Sequence, residues 1–351
     1  MRIVFDVSPL SHPRTGVGNY VLGSLRGLLE AGAHDVVAFA PASPAGKRLI
    51  EEALNGLDVE RALPTLPFAH ALRTAWSRLR RPPVERFLGR FDVLHFGDWM
   101  TPPQRGGLRS TMVHDLVPLR FPEWTHRKTV RMHASKLDGL GACDVVMTNS
   151  DFTARDVEEL LGIPAERLHT AYPGVDAGFS PEGDRAELGR PFALTVATLE
   201  PRKNLGTLVE AHRLLAGDLT LAVVGGEGWG AQPELDLPGV ERLGFIPNGQ
   251  MPRWYRGAAV VVYPSRFEGF GMPVVEAMAS GVPVVASAHP SLDEACGAAA
   301  VRVDPDSREA IAAGIEQALA ERDRLVALGL EHARRFTWRA CGEAHLQAWG
   351  A

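Results

Sequence analysis

The sequence predicts an α/β protein of two Rossmann-like, doubly wound parallel-sheet domains that face each other across a cleft. Its 351 residues suit two domains better than a single core. Short β-branched runs alternate with longer helical patterns throughout, as in parallel βαβ units. One segment, residues 172–189, interrupts this alternation with proline, glycine and acidic residues that show no periodicity. We therefore expect the link between the two domains in this segment.

The first domain is predicted to span residues 1–178, with strands at 2–7, 36–40, 92–96, 110–114, 144–148 and 167–172. The second is predicted to span residues 179–335, with strands at 192–198, 219–224, 240–243, 258–263, 283–286 and 300–303. Helices are expected between the strands, including 204–215 and 271–280. The last segment, 336–351, has a helical pattern and is expected to pack back on the first domain.

The composition excludes several classes of protein. Hydrophobic residues make up 45% and charged residues 23%, and the formal net charge of −5 does not favour binding to nucleic acid. The three cysteines lie far apart and form no CxxC pair, which suits the reducing cytoplasm and argues against a disulfide framework or a zinc site. No window approaches the roughly 18 unbroken apolar residues that a membrane-spanning helix needs.

The loop from Tyr263 to Gly281 is the most informative segment. It leaves a strand, passes Gly269 and Gly271, and enters a helix whose free N–H groups can bind an anion. Glu268 lies in the loop, and Glu276 lies in an otherwise apolar run, where a carboxylate needs a partner such as the paired hydroxyls of a ribose. The alternative is an ordinary strand-to-helix turn.

Two glutamates separated by seven residues, with Gly-Phe-Gly-Met-Pro between them, resemble the motif of glycosyltransferase family four, the large retaining family with the GT-B fold. The resemblance implies that Glu268 contacts the hydroxyls of the donor sugar and that Glu276 holds the ribose. It also implies that the backbone from Phe270 through Gly271 to Met272 binds the donor. A metal-independent transfer from a nucleotide diphosphate sugar follows from the same resemblance, with the donor phosphate assisting deprotonation of the acceptor and no cofactor required.

Arg202 and Lys203 follow the first strand of the second domain. Two adjacent cations at a strand's carboxyl end can neutralise a diphosphate, although a solvated basic turn with Asn204 as helix cap explains them equally well. They resemble the family's phosphate-binding residues. Many members have Gly-Arg where this chain has Ala197-Thr198, so either Arg202 compensates for the missing arginine or the diphosphate is held less tightly.

Two segments of the first domain complete the candidate site. Gly16 and Gly18 open a helix after the first strand, with Thr15 as a candidate cap, and many such turns are only structural. In the family, this glycine loop approaches the donor phosphates. His114 precedes Asp115 at the end of another strand and resembles the family's histidine that contacts the donor sugar, although many histidines are only structural.

Four further features carry weaker expectations. Asp304-Pro305-Asp306 has the spacing of a metal motif, but capping of the helix that begins near Ser307 explains it better. Ser150 is expected to act as a helix cap, and the glycine loop 225–228 as a turn or a donor contact. Ile246 lies in a stretch that resembles the family's base-binding backbone.

The local sequences around His114 and Lys203 resemble those of bacterial mannosyltransferases and related hexosyltransferases of surface-polysaccharide assembly. This resemblance favours mannose as the sugar and GDP-mannose over a UDP-hexose as donor, with a glycan or lipid-linked acceptor. Two other functions remain open on the same fold: a nucleotide-sugar epimerase or phosphorylase, and a binding protein with a silent site.

A basic segment lies between residues 63 and 91, where six arginines face one acid. Within it, Phe68, Leu72, Ala75, Trp76 and Leu79 form one apolar stripe at helical spacing. A basic amphipathic helix of residues 68–81 suits the surface of an anionic membrane and a cytoplasmic enzyme bound at its inner face. The alternative is a helix that faces the core and exposes a basic back.

Overall fold

The computed structural model describes residues 1–97, 101–230 and 233–351, and leaves the side chains of residues 128 and 135–138 undescribed. The chain forms two compact units. The N-terminal unit comprises residues 1–119, 128–174 and 337–351, and the C-terminal unit comprises residues 120–127 and 175–336.

The described part of the N-terminal unit contains a parallel sheet of seven strands in the order β3-β2-β1-β4-β5-β6-β7. The strands are β1 (Arg2–Asp6), β2 (Asp35–Phe39), β3 (Glu60–Ala62), β4 (Val93–Phe96), β5 (Leu108–Val113), β6 (Val145–Thr148) and β7 (Leu168–Thr170). The short edge strand β3 is absent from the sequence prediction, because Glu-Arg-Ala carries neither β-branching nor an alternating pattern.

The C-terminal unit contains a parallel sheet of six strands in the described residues, in the order β10-β9-β8-β11-β12-β13. The strands are β8 (Phe192–Val196), β9 (Thr220–Val224), β10 (Val240–Gly244), β11 (Val260–Tyr263), β12 (Val284–Ser287) and β13 (Ala300–Val303). This order is that of a doubly wound nucleotide-binding sheet, in which the direction of winding reverses between β8 and β11. The predicted two-sheet α/β class is confirmed.

Helices connect the strands. They are α1 (Gly16–Glu30), α2 (Pro44–Ala53), α3 (Ala69–Leu79), α4 (Glu85–Leu88), α5 (Val117–Arg120), α6 (Arg127–Leu140), α7 (Asp151–Leu161), α8 (Leu205–His212), α9 (Met251–Gly257), α10 (Met272–Ala279), α11 (Asp293–Cys296), α12 (Arg308–Ala320), α13 (Arg322–Ala333) and α14 (Trp338–Ala348). Within the described residues, no helix has the length and apolarity needed to cross a membrane.

The central strands are buried along their length, as expected for parallel sheets covered on both faces. In β11, Val260, Val261 and Val262 are each 0% exposed. Val260 and Val261 pair in register with Ala193 and Leu194 of β8. Short, mostly apolar runs of this kind explain why the sequence predicts the central strands to within one or two residues.

The C-terminal helix α14 packs against α1 inside the N-terminal unit. Gly27 of α1 lies so close to α14 that a Cβ atom there would come within 1.8 Å of the Trp338 carbonyl oxygen. Only glycine allows this approach of two helix backbones.

Two predicted helix caps are wrong. Thr15 precedes α1 but makes no side-chain hydrogen bond to its first turn. Asn204 precedes α8 in a left-handed conformation, with φ of 59°, and makes no side-chain cap bond. Its amide instead donates to the carbonyl oxygens of Pro264 and Pro305, at 3.3 and 2.6 Å. Asn204 therefore ties three loops together, and a left-handed position accounts for an asparagine there.

Candidate active site

The candidate site begins at the point where the winding of the C-terminal sheet reverses. β8 and β11 are neighbours there, and in doubly wound sheets ligands bind beyond the carboxyl ends of such strands. The loop after β8 carries Arg202 and Lys203, and the loop after β11 carries Glu268. The fold thus brings Glu268 to two cations that lie more than sixty positions before it in the sequence.

Glu268 is the centre of a buried polar cluster. Its side chain is 9% exposed and accepts hydrogen bonds at both oxygens. Lys203 Nζ and the Tyr263 hydroxyl donate to Oε1 at 2.6 and 2.8 Å, and Arg202 Nη1 donates to Oε2 at 2.8 Å. Lys203 Nζ also donates to the Tyr263 hydroxyl at 2.8 Å. We call Glu200, Arg202, Lys203, Tyr263 and Glu268 the switch-point cluster.

The electrostatics of this cluster favour an ionised Glu268. Burial alone would raise the pKa of Glu268, but the charges of Arg202 and Lys203 together outweigh it and lower the pKa to about 2. Burial lowers the pKa of the Lys203 ammonium, with the charge of Arg202 acting in the same direction and Glu268 opposing both. A charged, preorganised site of this kind can hold an anion where water is excluded.

Two members of the cluster were not predicted as site residues. The side chain of Glu200 is 8% exposed and lies beside Arg202, whose Nε donates to its Oε2 at 2.9 Å. The Tyr263 hydroxyl completes a triangle with Lys203 and Glu268. Glu200 lies two residues before Arg202, so its position in the same strand-end loop was a usable signal. Tyr263 looks like an ordinary strand residue in the sequence.

Glu276 lies on α10, and the hydrogen bonds described within the switch-point cluster do not include it. The Tyr255 hydroxyl donates to its Oε2 at 2.8 Å. Burial among apolar neighbours raises the pKa of Glu276 to about 7, partly offset by this hydrogen bond and reinforced by the charge of Asp176. Nothing in the sequence signals Tyr255, because it comes from α9 and meets Glu276 only in the fold. Further hydrogen-bond donors would therefore stabilise the ionised form of Glu276.

The turn between the two glutamates requires its glycine. Gly271 has a φ of 104°, and a Cβ atom there would lie 2.5 Å from a methyl group of Leu292. Pro273 follows in the first turn of α10, as predicted. Phe270 is buried against Phe336, with ring centroids 5.2 Å apart, and Met272 begins the helix. The backbone N–H groups of this first turn are available to an anion by the general rule for helix N-termini.

The remaining residue predicted in the C-terminal unit is Ile246. It is 9% exposed in the loop after β10, next to the exposed Phe245. The loop lies at the same edge of the sheet as the switch-point cluster, because all six strands are parallel.

The predicted residues of the N-terminal unit also lie at strand ends. Gly16 and Gly18 begin α1 after β1, and no atom lies within 4 Å of the place a Cβ would take at Gly16. His114 directly follows β5, and its ring meets the Tyr20 ring edge-on with centroids 5.0 Å apart. Asp115, predicted to orient the imidazole, accepts a hydrogen bond from the Val117 backbone at 3.1 Å.

The weaker sequence patterns have structural explanations. Ser150 and Ser307 cap α7 and α12, each accepting a hydrogen bond from a backbone N–H of the first turn. Asp304 Oδ1 accepts from the Asp306 backbone at 2.9 Å, as expected of a loop that leads into a helix. Among the described residues, no group of three histidine, cysteine, aspartate or glutamate side chains is arranged to hold a metal ion.

Known proteins share this architecture. The family model "Glycosyltransferase Family 4" matches residues 14–179, and "Glycosyl transferases group 1" matches residues 180–336. O-antigen chain mannosyltransferase B from Escherichia coli is 31% identical, over 99% of this chain and 99% of its own.

Solved structures agree at the level of the fold. Sucrose-phosphate synthase from Thermosynechococcus elongatus has a TM-score of 0.73 at 20% identity, covering 99% of this chain and 98% of its own. Anabaena HepE, solved in complex with UDP and glucose, has a TM-score of 0.70 at 16% identity, covering 100% of this chain and 100% of its own. With family models matching both halves and a relative aligned along nearly its whole length, the chain belongs to glycosyltransferase family 4 and has the GT-B fold.

Proposed function

We propose that this glycosyltransferase moves a hexose, with mannose as the first candidate, from a nucleoside diphosphate sugar to a lipid-linked glycan acceptor, with retention of configuration and without a metal ion. GDP-mannose is the preferred donor because the E. coli relative is named a mannosyltransferase. A UDP-hexose is the second candidate, because the related fold of HepE was solved with UDP and glucose.

The observation that carries the proposal is the switch-point cluster. Arg202 and Lys203 lie side by side at the carboxyl end of β8, where a doubly wound sheet binds phosphate groups. The bond that breaks during transfer leaves a negative charge on the diphosphate. Two buried cations stabilise that charge far better than water does, so they can supply the electrostatic part of catalysis.

The two glutamates contact different parts of the donor in this proposal: Glu268 contacts the sugar and Glu276 contacts the ribose. Glu268 is ionised and holds both cations, so a sugar hydroxyl that donates to it would lie directly beside the diphosphate. Among the described residues, the Tyr255 hydroxyl donates to Glu276, which can accept more hydrogen bonds from the two hydroxyls of a ribose. The donor contacts that the family resemblance implies for His114 and for the Gly16 loop belong to the N-terminal unit and stay predictions.

The acceptor side of the proposal rests on α3. Phe68 and Leu79, at the two ends of this helix, are 85% and 73% exposed, and Leu72 between them is also exposed. Only Trp76 of the predicted apolar stripe faces the core, where it packs against Phe39. The alternative of a helix whose whole apolar stripe faces the core does not hold for Phe68, Leu72 and Leu79.

An exposed apolar stripe flanked by arginines suits the headgroup region of an anionic bilayer. Arg78, Arg80 and Arg81 are exposed beside it. A cavity of about 380 Å³ opens at the start of α3, and its lining includes His12, His70 and Arg73. We propose that this face rests on the inner leaflet of the cytoplasmic membrane and receives a lipid-linked acceptor there.

The test has two stages. Thermal shift against GDP-mannose, UDP-glucose, UDP-galactose and ADP-glucose identifies the donor, because a bound ligand raises the melting temperature by mass action. Transfer to a polyprenyl-diphosphate oligosaccharide, followed by proton NMR of the product anomer, then tests activity and retention in the presence of EDTA. An inverted anomer contradicts retention, and activity that EDTA abolishes contradicts metal independence.

The two other candidate functions predict different products. An epimerase converts the nucleotide sugar to its epimer without any acceptor, which chromatography of the donor alone detects. A silent binding protein raises the melting temperature but yields neither transfer nor hydrolysis. Acceptor-dependent release of the nucleoside diphosphate supports the proposal against both.

A further inference from the structure

The switch-point cluster is electrically balanced before any ligand arrives. It holds two carboxylates, Glu200 and Glu268, and two cations, Arg202 and Lys203, joined by ion pairs of 2.6 to 2.9 Å. The side chains are between 8% and 16% exposed, so water screens these charges poorly. Burying a net charge here would be costly unless the cluster can adjust.

A donor diphosphate disturbs this balance, and here the inference rests on the proposed function. When a diphosphate binds to Arg202 and Lys203, it competes with both carboxylates for the same two cations. The cluster would then carry the full negative charge of the diphosphate. Protonation of one carboxylate relieves part of that repulsion, because like charges that share a site drive up each other's pKa.

The geometry decides which carboxylate accepts the proton. Glu268 accepts hydrogen bonds from Lys203, Arg202 and Tyr263, and all three would be weakened if it were protonated. Within the part of the chain that the structure describes, Glu200 accepts one side-chain hydrogen bond, from Arg202 Nε. Glu200 therefore loses less on protonation than Glu268 does.

The electrostatics of the unliganded protein point the same way. Burial raises the pKa of Glu200, the charges of Arg202 and Lys203 offset only part of this rise, and the charge of Glu268 adds to it. The pKa of Glu268 is instead lowered to about 2.

We propose that Glu200 is a charge-regulating residue, which takes up a proton from solvent when the donor diphosphate binds Arg202 and Lys203. Protonation leaves its carbonyl oxygen free to accept from Arg202 Nε, so the guanidinium keeps its position. When the product leaves, the proton returns to solvent. Donor affinity at this site is then coupled to pH through a residue that does not touch the sugar.

The test measures proton uptake on binding. Isothermal titration calorimetry with GDP-mannose and UDP-glucose, in buffers of different ionisation enthalpy, gives the number of protons exchanged. Nucleotide sugars are the right probes because their diphosphate has no group that titrates near neutral pH. Any change in the protonation of Glu276 on binding is common to all variants, so the difference between wild type and Glu200→Gln isolates Glu200.

The expected results separate charge from structure. At mildly acidic pH, the wild type should take up more protons on binding than Glu200→Gln, by at most one proton per site. Near pH 8, Glu200→Gln should bind the donor roughly tenfold more tightly, since one like charge has been removed, and the gap should close as the pH falls. Glu200→Asp should keep the extra proton uptake. Glu241→Gln, which removes an exposed acid of β10, matches the change in net charge and should behave as wild type.

Equal proton counts for the wild type and Glu200→Gln would overturn this inference alone. A donor affinity that is insensitive to Lys203→Ala would overturn the proposed function together with it. Melting temperatures of the variants confirm that each is folded, and a Glu200→Gln variant that binds more weakly at every pH also overturns the inference.

Discussion

Lys203 Nζ lies 2.6 Å from Glu268 Oε1, although the two residues follow different strands of the sheet. Both side chains are at most 10% exposed. The pair is thus a buried ion pair at the carboxyl edge of β8 and β11. Breaking such a pair leaves an uncompensated charge in a poorly solvated place. It therefore links the stability of the C-terminal unit to the chemistry proposed for it.

Replacing Glu268 by Gln should destabilise the protein, because Arg202 and Lys203 lose the carboxylate that neutralises both. At neutral pH we expect a loss of about 3 kcal/mol in the free energy of unfolding, measured by urea denaturation. The pKa of Glu268 is lowered in the folded state to about 2. Its stabilisation is therefore present above its ordinary pKa and disappears as the pH falls towards 2, so the two proteins should converge in acid. A constant difference at all pH values would contradict this account.

Replacing Glu276 by Gln should have the opposite effect on stability. The pKa of Glu276 is raised to about 7, so the folded protein binds a proton that the unfolded chain has already released. The wild type should therefore lose stability as the pH rises from the ordinary glutamate pKa to about 7. Near pH 8 we expect Glu276→Gln to be more stable by about 2 kcal/mol, with partial solvent screening allowed for.

The same Glu276→Gln variant should bind nucleoside diphosphates at least tenfold more weakly, because the amide presents an N–H group to the ribose hydroxyls. Calorimetric titration with GDP and UDP measures this, with the exposed Glu331→Gln as the control for net charge. A gain in stability together with a loss of binding is typical of a residue selected for function. Unchanged affinity would exclude the ribose role.

The sequence is a good guide to those site residues that depend on local pattern. Short, mostly apolar runs locate β8 and β11, so Arg202, Lys203 and Glu268 could be assigned to strand ends, and parallel strands bring such ends to one edge. Glycine and proline mark the turn before α10 for steric reasons that hold in any context.

Hydrogen-bond partners and packing contacts are harder to predict from the sequence, because they depend on distances in the folded structure. The sequence does not reveal that Tyr255 donates to Glu276, since the two residues meet only when α9 packs near α10. Asparagine is a preferred residue at the N-cap of a helix. The side-chain amide of Asn204 nevertheless donates hydrogen bonds to two other loops instead of capping α8. Phe68 and Leu79 follow a core-like spacing, but periodicity cannot tell a buried stripe from an exposed one.

Lys203→Ala should lower turnover by about 10²–10³-fold, the range for loss of one charge partner of a transition state. Steady-state kinetics with the identified donor and acceptor measures this. Lys47→Ala removes a half-buried lysine of α2, whose ion pair with Glu51 lies in the N-terminal unit, and serves as the matched control. A loss below about threefold would mean that Lys203 only neutralises Glu268 and does not act on the diphosphate.

Gly16→Ala tests the role of the N-terminal glycine loop. No atom lies within 4 Å of the added Cβ, so the free energy of unfolding should change by less than about 1 kcal/mol. If donor phosphates approach this backbone, kcat/KM should nevertheless fall at least tenfold, because the methyl group occupies the ligand's space. Gly141→Ala is the matched control, since its Cβ also meets no atom within 4 Å. Full activity in Gly16→Ala would make the loop purely structural.

The final prediction is that the exposed face of α3 binds an anionic membrane. Phe68 and Leu79 would enter the headgroup region, while Arg78, Arg80 and Arg81 would meet anionic lipid. Each arginine near such a surface contributes about 1 kcal/mol, so the triple change to Gln should lower partitioning by roughly 10²-fold. Co-sedimentation with phosphatidylglycerol vesicles measures this, and vesicles of phosphatidylcholine alone should bind weakly.

Two further variants separate the contributions to membrane binding. Changing the exposed arginines Arg213, Arg253 and Arg335 to Gln removes the same charge from the C-terminal unit and should leave partitioning unchanged. Phe68→Ser with Leu79→Ser should weaken binding to a similar extent at low and high salt, since apolar insertion is not screened, whereas the arginine contribution should fade as salt rises. Equal partitioning of the wild type and the Arg78, Arg80 and Arg81 variant would show that these arginines do not contribute to binding of anionic lipid. A water-soluble glycan acceptor would then fit the enzyme better than a lipid-linked one.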